Sequence, residues 1–340
     1  MNRRESLYAL SALGIAGAAP RAFAQATKPG PARRIGFLLL DPDPDPKQPG
    51  TQRAGSQALR KLGWIEGENL IIERAFADYE VERLAGLADE LVRKGVEVLC
   101  TNTPEATLAA ARATKTVPIV FGSVTWPIEQ GFIDSFARPG RNLTGNAFYT
   151  GVEVSNKRME FLREIAPAAR RLSWLWPGDY TETVSGGRFD MLAQMSAAAK
   201  GLGFETRFHD IRKLTDVETA LSETADWRAQ ALMAGGTHIF AERQRIADFT
   251  LRQRLPSATP SLGLVRAGGL LYYGPSLSEG PLMFARFFGL VDRILRGAKP
   301  ADLPVERPSK YDLVINMKTA KALGLQIPQS VLLRAERIIE

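Results

Sequence analysis

Short apolar runs alternate with amphipathic segments along most of this chain. Arg34–Leu40 reads RIGFLLL, the pattern of a strand covered on both faces, and Val81–Lys94 has apolar residues at the spacing of one helical face. Such alternation predicts a parallel, doubly wound sheet with right-handed crossovers. The first half has predicted strands at Arg34–Leu40, Leu70–Phe76, Val96–Thr101, Val117–Phe121 and Leu143–Phe148, and predicted helices at Thr51–Leu62, Val81–Lys94 and Pro104–Thr114.

The same alternation restarts after Tyr149. Strands are predicted at Arg171–Trp176, Glu205–Ile211, Gln230–Ala234, Ser257–Leu262, Gly269–Tyr273 and Tyr311–Asn316. Helices are predicted at Val152–Ile165, Arg188–Leu202, Asp216–Ala225, Ala241–Arg254, Ser278–Arg296, Lys318–Leu323 and Gln329–Ile339. The chain of 340 residues is long enough for two cores, so we expect two α/β lobes of similar size with a cleft between them.

The first 24 residues have the organisation of a secretory signal peptide. Arg3 and Arg4 precede an apolar stretch over Leu7–Gly17, and Ala22-Phe23-Ala24 matches a cleavage site. The apolar stretch is shorter than the ~20 residues of a membrane span, which favours a cleaved signal over an anchor. The paired arginines also match a twin-arginine signal loosely. We therefore expect export to the periplasm and cleavage after Ala24.

Motifs for catalysis are not found in the sequence. It contains no glycine-rich nucleotide loop, no nucleophile elbow and no nucleic-acid motif, and the formal charge of +7 is spread evenly. His209 and His238 are not spaced as a metal pair, and Cys100 is the only cysteine. These features favour binding over catalysis, with no cofactor, no metal and no nucleic acid expected.

Aromatic and polar residues gather where predicted strands end. In open α/β sheets, ligands bind beyond the carboxyl ends of strands, in pockets lined by aromatic side chains and a few polar groups. Asp179 would pair with a ligand amine or cap a turn, and His238 would touch a ligand or lie in an ordinary loop. The loop of alternating Asp and Pro after Leu40 is equally consistent with a pocket rim and a solvated loop. The candidates at strand ends are Thr103, Ser123, Thr125, Trp126, Asn146, Phe148, Tyr149, Trp176, Asp179, Tyr180 and His238.

Several segments resemble the ABC-transporter substrate-binding proteins of the tryptophan or aromatic amino-acid-binding type, a branch of the type I periplasmic binding proteins. The most specific are ARPGRNLTG (residues 137–145) and LVINMKTAKALGLQIP (residues 313–328). The resemblance implies two Rossmann-like lobes joined by three crossovers, and a monomer that delivers a cleft ligand to an inner-membrane permease driven by a separate ATPase. It divides the chain into residues 33–148 plus 268–305 for one lobe and 149–267 plus 306–340 for the other. Its pocket loops correspond to Asn102-Thr103-Pro104, Ser123–Trp126, Asn146–Tyr149, Trp176–Tyr180 and Gly236–His238, which adds Asn102 and Thr237 to the candidates.

The chain departs from the family pattern at two of these loops. Trp126-Pro127 stands where an acidic residue and Pro are common, and Gly235–Thr237 lacks a frequent Asp. The loss of acidic groups at both places argues against an α-amino ligand. Trp126 would instead offer an apolar or stacking face, and the ligand would be an aromatic acid, a modified amino acid or another small organic acid. An alternative to transport is a ligand-sensing domain that feeds a signalling partner; an enzyme on the same fold is a third possibility.

Overall fold

The computed structural model describes residues 31–43, 50–148 and 152–340; the predicted signal peptide and Tyr149 lie outside these ranges. The strands are β1 (Arg33–Leu39), β2 (Leu70–Phe76), β3 (Val98–Thr101), β4 (Ile119–Val124), β5 (Leu143–Ala147), β6 (Arg171–Trp176), β7 (Glu205–Asp210), β8 (Ala231–Ala234), β9 (Ser257–Thr259), β10 (Leu271–Pro275), β11 (Tyr311–Asn316) and β12 (Arg337–Ile339). The helices are α1 (Gly50–Lys61), α2 (Arg83–Arg93), α3 (Pro104–Ala113), α4 (Glu153–Ile165), α5 (Met191–Gly201), α6 (Leu214–Asp226), α7 (Thr237–Ala241), α8 (Arg243–Arg252), α9 (Leu262–Arg266), α10 (Gly280–Leu295), α11 (Met317–Ala322) and α12 (Gln329–Leu332).

The strands form two sheets. The first has five strands in the order β2-β1-β3-β4-β5, and all its neighbours are parallel. The second has seven strands in the order β12-β11-β10-β9-β8-β6-β7, in which only β10 and β11 pair antiparallel. This confirms the predicted α/β fold with two mainly parallel sheets. We call the five-stranded part lobe 1 and the seven-stranded part lobe 2.

Local sequence explains how these elements form and where they end. All four residues of β3 are buried, as expected for an apolar run inside a parallel sheet. Helix α2 buries Leu84, Ala88 and Leu91, which recur at helical spacing on one face. Helix α3 is capped by Thr103, whose hydroxyl oxygen accepts a hydrogen bond from the backbone amide of Ala106 at 3.2 Å. This cap fixes the start of α3 at the carboxyl end of β3.

Each sheet has its own apolar core, and one helix joins a core distant from it in sequence. Helix α10 follows β6 to β10 of lobe 2 along the chain but packs on lobe 1. Its residues Phe287 and Val291 share a buried cluster with Val98 of β3 and Val120 of β4. Full burial of such a side chain contributes roughly 1.5–3 kcal/mol relative to its exposure. Lobe 1 is therefore completed by residues from late in the sequence.

The position of β10 corrects one part of the predicted division. Residues 268–305 were assigned to lobe 1, but β10 pairs with β9 and β11 in the seven-stranded sheet. Only the part from Gly280 onward packs on lobe 1. An apolar run alone does not show which of two sheets a strand will join, because that choice depends on long-range pairing. The remaining lobe boundaries stay a prediction.

The chain passes between the lobes in adjacent places. The amide of Ala147, at the end of β5, donates to the carbonyl oxygen of Glu306 at 2.9 Å. The amide of Ser276, after β10, donates to the carbonyl oxygen of Lys310 at 2.8 Å. Asp312 accepts from the amide of Leu277 at 2.8 Å. These hydrogen bonds hold the connecting segments side by side.

The end of the chain differs from the prediction. A helix was expected over Gln329–Ile339, but α12 ends at Leu332 and Arg337–Ile339 forms β12. This strand pairs parallel with β11, with Ile338 opposite Ile315. Pairing with β11 therefore determines the conformation of this segment, although its local sequence pattern is helical.

Candidate functional site

A cavity of about 230 Å³ lies where the carboxyl ends of the two sheets face each other. Lobe 1 contributes residues after β1, β3, β4 and β5, and lobe 2 contributes residues after β8 and β9. We call it the cleft cavity. Its lining is Asp41, Asn102, Thr103, Pro104, Ser123, Thr125, Phe148, Gly236, Thr237, Phe240 and Pro260.

A charged carboxylate on the lobe 1 side is positioned by an amide. The Nδ2 atom of Asn102 donates to Oδ2 of Asp41 at 2.9 Å. The Oδ1 atom of Asn102 is buried and has no hydrogen-bond partner among the described residues. Asp41 contributes the only acidic or basic side chain of the cavity lining within the described part of the chain. This pair therefore offers a ligand hydrogen-bond acceptors and one negative charge.

The end of β4 adds two hydroxyl groups. Ser123 has a φ of 56°, and the register between β4 and β5 shifts between Phe121 and Val124. A non-glycine residue in this left-handed region is uncommon and costs energy, so the surrounding packing must impose it. Thr125 is 2 % exposed, and its hydroxyl has no partner in the described ranges. A buried hydroxyl without a partner is costly, and a ligand would satisfy it.

The lobe 2 wall depends on a glycine. Gly236 has a φ of 132°, and a Cβ atom there would lie 2.5 Å from Cγ of Pro177. Glycine therefore lets the chain turn from β8 into α7 close to the cavity. Thr237 and Phe240 of α7 then line the side opposite to Asp41.

A second, larger cavity of about 540 Å³ adjoins the cleft cavity. It lies between α1, α10 and the carboxyl edge of the lobe 1 sheet, and we call it the apolar cavity. Asn102, Ser123 and Phe148 line both cavities. Most of its remaining lining is aromatic or aliphatic, including Phe37, Phe284 and Phe287.

Comparison with known proteins assigns the family. Residues 50–339 match the family described as ABC transporter substrate binding protein. The chain belongs to this family. A relative is the tyrosine-binding protein of Clostridioides difficile strain R20291, 23% identical over 270 residues that cover 79% of this chain and 75% of the relative.

Solved structures of substrate-binding proteins share the fold. A Streptococcus pneumonia ABC domain in complex with L-Trp has a TM-score of 0.75 at 21% identity, with 91% of this chain and all of that chain covered. The ligand-free, open structure of a Clostridium difficile substrate binding protein with adhesive properties has a TM-score of 0.57 at 20% identity, covering 91% and 99%. This family member therefore has the two-lobe fold of type I periplasmic binding proteins.

The structure places six of the predicted site residues in the cleft cavity: Asn102, Thr103, Ser123, Thr125, Phe148 and Thr237. Asn146 lines the apolar cavity instead. Asp179 and Tyr180 lie in a 3₁₀ turn at Gly178–Thr181 after β6. That any of these residues contacts a ligand remains a prediction.

Three predicted site residues are buried away from both cavities. Trp126 and Trp176 are 2 % and 3 % exposed, and their ring centroids lie 5.4 Å apart in an aromatic cluster that also includes Phe189. His238 is 1 % exposed and donates from Nε2 to the carbonyl oxygen of Tyr79 at 2.8 Å. In this structure these side chains connect the lobes and do not line the cavity. The reason is that a strand end near the cleft can point its side chain into the interface as well as into the pocket.

Sequence reasoning missed Asp41, Phe240 and Pro260 as cavity residues. Asp41 begins the predicted loop of alternating Asp and Pro, which was considered as a pocket rim without any residue being chosen. The signal that distinguishes Asp41 is its contact with Asn102, 61 residues away.

No group of three or more His, Cys, Asp or Glu side chains in the described ranges is arranged to hold a metal ion. Among the helices described, none is long and apolar enough to cross a membrane.

Proposed function

We propose that this protein is the periplasmic solute-binding component of an ABC uptake transporter, and that it captures an aromatic α-amino acid in the cleft cavity. The observation that carries the proposal is the Asp41–Asn102 pair beside Phe148, in a cavity lined by both lobes. The family and the fold support the binding role. The names of the relatives, a tyrosine-binding protein and an L-Trp complex, support the ligand class.

The polar groups suit the two ends of an amino acid. An ammonium group placed between the Asp41 carboxylate and the free Oδ1 of Asn102 would receive two acceptors, one of them charged. The hydroxyls of Ser123 and Thr125 can donate to a carboxylate, and so can backbone amides at the start of α3. Asp41 thus supplies an acidic group, which is missing from the two loops that differ from the family pattern.

The apolar part of the ligand would lie against Phe148 and Phe240. Both rings line the cleft cavity, one from each lobe. Aromatic pairs contribute roughly 0.5–1.5 kcal/mol beyond the burial of their area. Contacts from both lobes give the ligand a higher affinity for the closed arrangement, which is the condition for ligand-driven closure.

Hinge closure is supported by the adjacent connecting segments and by the two similar structures. At equal coverage of this chain, the TM-score is 0.75 with the L-Trp complex and 0.57 with the open, ligand-free protein. Hydrogen bonds across the cleft fit a closed form: Arg112 of α3 donates to the carbonyl oxygen of Thr183 at 2.9 Å, and Val184 donates to that of Gln130 at 2.9 Å. In this proposal the closed monomer binds a membrane permease, catalyses no reaction and needs no cofactor.

Calorimetric titration of residues 25–340 with matched ligand pairs tests the proposal. The pairs are L-phenylalanine with 3-phenylpropionate and L-tryptophan with indole-3-propionate, which differ only in the amino group. We expect each amino acid to bind more tightly, by roughly 10–150-fold, since a hydrogen bond to a charged group contributes about 1.5–3 kcal/mol. Asp41→Asn should remove most of this difference. Equal binding of both members of each pair would refute the role of Asp41, and no binding of any of the four would refute the ligand class.

A further inference from the structure

The apolar cavity has a different lining from the cleft cavity. Its volume of about 540 Å³ falls within the range of small-molecule pockets. Phe284, Phe287 and Phe288 of α10 supply one wall, and Phe37 of β1 packs beside them, with its ring centroid 6.4 Å from that of Phe288. A cavity with several aromatic walls favours a flat apolar ligand.

Two buried acceptors in this lining, Oδ1 of Asn102 and Oδ1 of Asn146, have no partner among the described residues, and only Asn146 belongs to the apolar cavity alone. Asn146, at 4 % exposure, donates from Nδ2 to the carbonyl oxygen of Met283 at 2.6 Å. This bond fixes the orientation of the carboxamide. Its Oδ1 atom is buried and has no hydrogen-bond partner in the part of the chain that the structure describes. An unsatisfied buried acceptor costs free energy, which a ligand donor would recover.

The charged side chains around the cavity already have partners. Arg74 donates to both carboxylate oxygens of Glu66, at 2.6 and 2.9 Å. Glu279 accepts from the amide of Ser309 at 2.9 Å and from its hydroxyl. These hydrogen bonds lower the pKa of Glu279, with the Ser309 hydroxyl as the largest cause. Neither group is available to neutralise a charge on a ligand.

We propose that the apolar cavity is a second binding site, and that it takes an uncharged aromatic molecule or group whose hydrogen-bond donor faces Oδ1 of Asn146. This site differs from the cleft cavity, where Asp41 provides a charge. The proposal does not depend on transport or on the ligand of the cleft.

The test compares indole with benzofuran by calorimetry or ligand-observed NMR. The two molecules have nearly the same shape, but only indole has an N–H donor. We expect indole to bind roughly 3–10-fold more tightly, the effect of one neutral hydrogen bond of about 0.5–1.5 kcal/mol. Asn146→Leu should remove this preference and leave benzofuran bound.

Two further variants distinguish binding in the apolar cavity from binding in the cleft cavity. A Cβ atom on Gly122 would lie 3.5 Å from the ring of Phe287, an ordinary contact, so Gly122→Leu should fill the apolar cavity and abolish binding of indole and benzofuran alike. Asp41→Asn should leave indole binding unchanged and affect only amino acids in the cleft.

Three results would overturn the proposal. They are equal affinity for indole and benzofuran, no binding of either, or binding of indole that survives Gly122→Leu. Circular dichroism of each variant confirms that it is folded. If Asn146→Leu does not fold, the ratio of the two affinities in the unmodified protein and the Gly122→Leu variant still decide the question.

Discussion

The Nε2 atom of His238 lies 2.8 Å from the carbonyl oxygen of Tyr79, and this hydrogen bond joins lobe 2 to lobe 1 beside the cleft cavity. Because a carbonyl only accepts, Nε2 carries the proton. The imidazole ring also lies 6.2 Å from the Tyr79 ring. His238, which the sequence left as either a ligand contact or an ordinary loop residue, thus contacts the opposite lobe.

We predict that His238→Ala shifts the ligand-free protein toward an open arrangement. Loss of one net hydrogen bond of about 0.5–1.5 kcal/mol changes the ratio of open to closed molecules by roughly 2–10-fold. The apparent affinity for ligand falls with the closed fraction. Small-angle X-ray scattering measures the opening, and titration measures the affinity. His209→Gln is the matched control, since His209 bonds only within lobe 2; equal scattering from both variants would contradict the prediction.

Trp126→Ala should destabilise the fold. The side chain is buried against Trp176 and Phe189, and truncation of a buried tryptophan costs about 3–5 kcal/mol. Urea denaturation measures this loss. Phe148→Ala is the comparison, because Phe148 is half-buried and lines both cavities; it should lower affinity with a smaller loss of stability. A stable Trp126→Ala protein with weaker binding would restore the ligand role first assigned to Trp126.

Stability should fall on acidification because of His209. Burial lowers the pKa of His209 below its usual value, and the hydrogen bond with Glu223 only partly opposes this. The unfolded chain therefore takes up the proton first as the pH drops through about 6.5, so the free energy of unfolding decreases below that pH. Urea midpoints at pH 7 and pH 5 measure the decrease. His209→Gln cannot titrate, and its midpoint should change less; an equal change in both proteins would assign the effect to other groups.

Cys100 should be unreactive in the folded protein. The side chain is fully buried in β3, and this burial raises the pKa of its thiol. Only the thiolate reacts with a disulfide reagent. Dithionitrobenzoate should therefore label none of the native protein and one thiol per chain in denaturant. Fast labelling of the native protein would show that lobe 1 opens readily.

The alternation of apolar runs and amphipathic segments was sufficient to predict the elements of the fold. Strands β2, β6 and β11 have the predicted bounds. Pairing between distant segments was not predictable in this way. The antiparallel partner of β10 and the strand β12 both depend on contacts with β11, which no local pattern contains.

The candidate site was predictable only in part, for a related reason. The carboxyl ends of β3 and β4 indicate Asn102, Ser123 and Thr125, since parallel strands bring their ends to one edge. The direction of each side chain is set by packing between the lobes. Trp126 follows a strand end, but its side chain lies in the interface against Trp176. Asp41 lies in a loop, but its carboxylate is held at the cavity by a hydrogen bond from Asn102.

Helix α10 has a consequence for the order of folding. During synthesis, every strand of lobe 1 emerges from the ribosome before α10, which covers one face of β3 and β4, has been made. Until then Val98 and Val120 lack part of their apolar cover. We expect lobe 1 to remain loosely folded while most of lobe 2 is translated. The nascent chain thus stays incompletely folded for most of its length, the condition in which a polypeptide can still be threaded through a narrow pore.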